Sequence, residues 1–78
     1  MEQAAEYAQY REALLTLVNS INAEIPLEES NQVLIVYKLN TVEKISKFNK
    51  TIKSNLQGGK LHMTEAEIVR AAVQASKD

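Results

Sequence analysis

Apolar side chains recur at three- and four-residue intervals from Glu2 to Glu24, through Ala4, Tyr7, Tyr10 or Arg11, Leu14, Leu17 or Val18, and Ile21. That spacing places them on one face of a helix and predicts an amphipathic helix over this stretch. Pro26 ends it, or opens the next segment at a first-turn position, and Leu27 to Asn31 reads as a polar connector.

The next apolar run, Val33 to Tyr37, is compact, β-branched and aromatic, with Ser30, Asn31 and Gln32 before it and Asn40, Thr41 after it, which predicts a short strand. The same residues fit a second pattern. Ile35, Leu39, Val42, Ile45, Phe48 or Asn49, Ile52 and Leu56 lie on one stripe of a continuous helix from Pro26 to Leu56, so periodicity leaves both forms open.

Residues 41–56 are helical in either case. Val42, Ile45, Phe48, Ile52 and Leu56 make an inner face, and Lys44, Lys47, Lys50 and Lys53 fall outside it. Gly58 and Gly59 suit a helix end that needs positive φ. Thr64-Glu65-Ala66-Glu67 is a capping box opening a last helix, with Ile68, Val69, Ala72 and Val73 as its core face. Tyr7, Tyr10 and Phe48 sit at core spacing and are expected to pack rather than to stack on bases. No repeat, low-complexity tract or second domain interrupts this order, and the expected class is mainly α.

Charge changes the picture through its distribution. The chain holds nine basic and ten acidic residues, but residues 1–30 carry one base against six acids, a formal −5, and residues 31–78 carry eight bases against four acids, a formal +4. An acidic helix and connector over 1–30 therefore precedes a basic body over 31–78. Such a split implies that the basic part meets a polyanion or that the two parts attract one another.

At 78 residues a monomer buries only about 60% of the surface its unfolded chain exposes. With no cysteine to supply disulfides or thiolate metal sites, self-association is the expected way to enlarge the core. The start of the chain lacks the basic and apolar regions of a signal peptide, and no apolar run approaches the roughly 20 residues that span a bilayer. A cytoplasmic protein without a membrane role is expected.

Candidate chemistry is sparse. His62 is the single histidine, and the nearest acids, Glu65 and Glu67, are accounted for by a helix start rather than by metal ligation. Ser20, Ser30, Ser46, Ser54 and Ser76 have no paired base in view, and Gly58-Gly59 lacks the Lys-Ser or Lys-Thr of a phosphate loop. A binding protein without catalytic activity or cofactor is expected.

Read in order, Val33-Leu34-Ile35-Val36-Tyr37-Lys38-Leu39, Val42-Glu43-Lys44-Ile45 and His62 to Val73 give strand, helix, glycine turn and capped helix. That order resembles the ribbon-helix-helix family of the methionine and Arc repressors. The resemblance implies an intertwined homodimer whose paired strands enter the major groove of double-stranded DNA, with Lys38, Val36 and Leu34 on the groove side. It also implies a phosphate anchored at the start of the second helix by Thr64 and the backbone around Glu65, with Lys60 offsetting the acid. Lys44 and Lys47 would add phosphate contacts. Residues 1–30 lie outside the resemblance and are candidates for contact with another protein. The competing reading is an all-α bundle of three or four helices acting as a protein–protein interaction module, such as a chaperone, adaptor or inhibitor, without DNA contact.

Overall fold

Helix α1, Glu2–Glu24, takes the bounds its apolar spacing predicts. The computed structural model describes residues 2–77, with side chains from Ala8 onward, so the expected stripe positions Ala4 and Tyr7 lie outside the described side chains. Leu14, Val18 and Ile21 are buried at i, i+4 and i+7, whereas every side chain from Ala8 to Ala13 is exposed. Tyr10, expected in the core, is 39% exposed, and Phe48 is fully buried.

The corner after α1 turns on buried Leu27. The Asn22 side-chain oxygen accepts from the Leu27 amide at 2.7 Å, and the Gln32 side chain donates to the Leu27 carbonyl at 2.9 Å. These bonds satisfy backbone groups that Pro26 leaves outside a helix.

Residues 33–38 then depart from the ribbon expectation, since they belong to helix α2, Glu29–Lys38, with Leu39 as its C-cap. The physical reason is burial. A strand would put Val33, Ile35, Tyr37 and Leu39 on one face, whereas the helix keeps Ile35 and Leu39 in the core at 0% and 1% exposure and turns Val33 and Tyr37 out to 62% and 74%. A strand there would also expose an unpaired edge. The alternative of one helix from Pro26 to Leu56 is also corrected: it breaks at Asn40 and Thr41, where the Thr41 hydroxyl accepts from the Lys44 amide at 3.3 Å and starts helix α3, Val42–Ser54.

Helix α3 buries Phe48 and Ile52 and half-buries Ile45, as its inner stripe predicts, but Val42 is 39% exposed. It stops at Asn55, before the glycines. Strands β1, Leu56–Gln57, and β2, Lys60–Leu61, pair antiparallel with Leu56 opposite Leu61 and Gln57 opposite Lys60. Gly58 and Gly59 form the two-residue turn, with φ of 61° and 77°. Two successive positive φ values match the hairpin turn whose twist suits antiparallel strands. The glycines therefore serve a hairpin rather than a helix end.

Helix α4, Glu65–Ser76, opens with the capping box that the sequence predicts: the Glu67 amide donates to the Thr64 hydroxyl at 3.2 Å and the Thr64 amide donates to the Glu67 carboxylate at 2.8 Å. It buries Ile68, Ala71, Ala72 and Ala75, while Val69 and Val73 are only half-buried. The alanines let α4 seat closely on α2 and α3. Across the body, the Glu24 carboxylate accepts from the Leu61 amide at 2.8 Å and fastens the hairpin to the end of α1. The fold is mainly α, with four helices and one small hairpin among the described residues.

Candidate functional site

Helix α2 carries two apolar stripes rather than one. At about 100° per residue, Ile35 and Leu39 face the core, while Val33 and Tyr37, four residues apart, form a second stripe turned toward solvent, with half-buried Val36 packed against the core beside it. Val33 is 62% and Tyr37 74% exposed. A short helix apolar on most of its circumference belongs where both sides are covered, yet among the described residues only one side of α2 is covered.

The uncovered stripe forms one wall of a groove of about 700 Å³. Tyr10, Leu14, Leu15 and Val18 of α1 make the opposite wall, and Leu39, Val42 and Ile45 close its end. Polar groups sit along the rim: Arg11 and Asn19 on α1, Glu29 and Gln32 on α2, Asn40 and Thr41 at the turn into α3. Several of these are already engaged. Gln32 bonds to Leu27, Asn40 accepts from the Lys44 ammonium at 3.1 Å, and the Thr41 hydroxyl caps α3. The floor is apolar and the rim polar, an arrangement that favours an apolar surface over a charged small molecule.

The residues expected to touch DNA do not converge here as a ribbon face. Leu34, Val36 and Lys38 alternate on a strand, but on α2 successive members lie about 200° apart. Val36 faces the groove, and all three are half-buried. Thr64 is engaged in its capping box. The Glu65 carboxylate turns away from its own helix start to the start of α2, accepting from the Glu28 amide at 2.7 Å and the Asn31 side chain at 2.6 Å. Asn31 first, then the Glu28 amide, holds its carboxyl below the ordinary glutamate range against a small opposing effect of burial. Glu67 is likewise held low, by the Thr64 amide first and the Thr64 hydroxyl second. The position proposed for a phosphate is thus framed by two carboxylates.

Lys47, Lys50 and Lys53 lie exposed on the outer side of α3, Lys44 is half-buried beside Asn40, and Lys60 is exposed at the hairpin. His62 is exposed in a shallow depression with Ser54, Asn55, Leu56 and Gln57, and its amide donates to the Asn55 carbonyl at 2.9 Å. No group of three histidine, cysteine or acidic side chains suited to a metal ion occurs among the described residues. No helix among them is long and apolar enough to cross a membrane.

Sequence reasoning missed Tyr10, Leu15, Val33, Tyr37 and Val42 as site residues. The signal was the i, i+4 pair Val33 and Tyr37, which becomes a surface stripe once Ile35 and Leu39 are assigned to the core. Comparison with known proteins found no matching family, no similar curated protein and no similar solved structure.

Proposed function

We propose that this chain is a non-catalytic, helical protein–protein interaction module that receives an apolar helical segment in the groove between α1, α2 and the start of α3. The observation that carries the reading is the exposed stripe of Val33 and Tyr37 beside a 700 Å³ trough with an apolar floor. Contiguous apolar surface rimmed by polar groups marks interaction sites. The groove has the form of a helix-in-groove receptor, in which anchors at i, i+3, i+4 and i+7 of the incoming helix enter between two helices.

The test is fluorescence anisotropy of a labelled amphipathic peptide with a leucine face. Saturable binding to the full chain, weakened at least about tenfold by Tyr37→Asp, is expected, since truncating a central anchor costs more than about 1.4 kcal/mol. Absence of binding, or binding indifferent to Tyr37→Asp, overturns the reading.

A second reading is favoured by the exposed Lys47, Lys50 and Lys53 on α3: contact with double-stranded DNA through phosphates, without the ribbon. It expects duplex affinity that falls steeply with salt and weakens when these lysines become glutamines. No duplex binding at about 50 mM salt overturns it.

A further inference from the structure

From Lys44 to Thr64 the chain holds five lysines and no aspartate or glutamate, a formal +5. Within helix α3 these lysines are ordered. At about 100° per residue, Lys50 stands opposite the midpoint of buried Phe48 and Ile52, and Lys47 and Lys53 flank it three residues to either side. All three are exposed, so they form a row along the outermost line of the helix. Lys44 lies apart from the row: it is half-buried, and its ammonium donates to the Asn40 side chain at 3.1 Å.

The basic surface continues into the hairpin. Asn55 ends α3 directly before β1, and its carbonyl accepts from the His62 amide at 2.9 Å, which holds the hairpin to the helix end. In β2, Leu61 is buried, so alternation turns its neighbour Lys60 away from the core. Lys60 is exposed, opposite Gln57 on the paired strand. Acids bound this surface at its ends: Glu43 precedes Lys47 by one turn, and the Glu24 carboxylate is occupied by the Leu61 amide at 2.8 Å.

We infer that Lys47, Lys50, Lys53 and Lys60 form one phosphate-binding track that follows the backbone of double-stranded DNA and reads no bases. This inference rests on the duplex reading given above and specifies its contacts. The length of the row fits. Lys47 to Lys53 spans about 9 Å at 1.5 Å per residue, over which one strand of a duplex presents about three phosphates, one per 3.4 Å. Lysine suits the task, since its compact charge on a flexible stem meets phosphates without the fixed fork through which arginine reads guanine. The segment holds no arginine. It also offers unpaired bases no stacking platform, because Phe48, its one phenylalanine, tyrosine or tryptophan, is fully buried. A duplex backbone is therefore the polyanion this surface fits.

Fluorescence anisotropy of a labelled duplex, titrated with the full chain over a range of salt, counts the contacts. Four neutralised phosphates give a slope of log affinity against log salt of about −3.6, since each contributes about −0.9. Lys47→Gln, Lys50→Gln, Lys53→Gln and Lys60→Gln should each flatten it by about 0.9. Lys77→Gln, the same charge change at the end of α4, should leave it unchanged. All five sites are exposed, so none of these changes removes core packing. Duplexes rich in A·T and in G·C should bind alike.

A slope untouched by Lys60→Gln, or flattened equally by Lys77→Gln, overturns the track and leaves duplex contact standing. A preference between the two duplexes also overturns it, and points to base reading by Gln57. Tighter binding to single strands, or binding to vesicles of phosphatidylserine and phosphatidylcholine in place of duplex, overturns it as well. No duplex binding at about 50 mM salt removes the track and the duplex reading together.

Discussion

The Glu65 carboxylate accepts a hydrogen bond from the Asn31 side chain at 2.6 Å, joining the first turn of α4 to the first turn of α2. A second bond from the Glu28 amide makes this one acid the cap of α2, whose own N-cap residue makes no side-chain bond. Negative charge at that helix start is favourable, and it holds together the two helices that carry the groove wall and its backing.

Acid should therefore loosen the fold. Glu65 and Glu67 have folded pKa values below their unfolded ones, so the stability they contribute is present above the ordinary glutamate pKa of about 4.3. It is lost as the pH falls through their lowered folded values. Thermal melts across this range should show Glu65→Gln less stable than wild type at neutral pH and less sensitive to acid. An unchanged pH slope in that variant would remove Glu65 from the account.

Groove and core variants should separate cleanly. Phe48 is fully buried, and Phe48→Ala should cost about 3–5 kcal/mol. Tyr37→Asp and Val33→Ser, at exposed positions, should stay within about 0.5 kcal/mol of wild type in denaturant unfolding at concentrations too low for self-association. A large loss at Tyr37 would mean that it supports the fold rather than a partner.

Legibility in the sequence followed how local the determining interactions are. The α1 spacing and the Thr64 capping box were readable because each is settled within a few residues. Val33 to Tyr37 was not, because its β-branched residues favour a strand locally while the core rewards the helical pair Ile35 and Leu39. Tertiary burial overrides such propensity. The groove was harder still: Val33, Tyr37 and Leu15 look like ordinary core residues in sequence, and only the packed chain reveals which apolar positions lack a cover.

The glycine turn gives a backbone test. A Cβ at Gly58 or Gly59 would meet nothing within 4 Å, so the cost of Gly58→Ala or Gly59→Ala is conformational, about 1–2 kcal/mol each. Amide exchange at Leu61 and His62 should accelerate in both variants, while amides in α2 stay protected. Unchanged exchange at the hairpin would argue against this turn.

The α4 cap is separable from any phosphate role. Thr64→Ala should cost about 1 kcal/mol through loss of the hydroxyl acceptor, and Thr64→Ser should be close to neutral. Chemical denaturation measures both. If Thr64→Ala is neutral, the hydroxyl is free for another task.

The groove itself is tested most directly by methyl chemical-shift mapping during titration with the leucine-faced peptide. The account predicts concerted shifts at Leu15, Val33, Val36, Val42 and Ile45, with Ile52 and Ile68 little changed. Shifts confined to other surfaces, or none at saturating peptide, would contradict it.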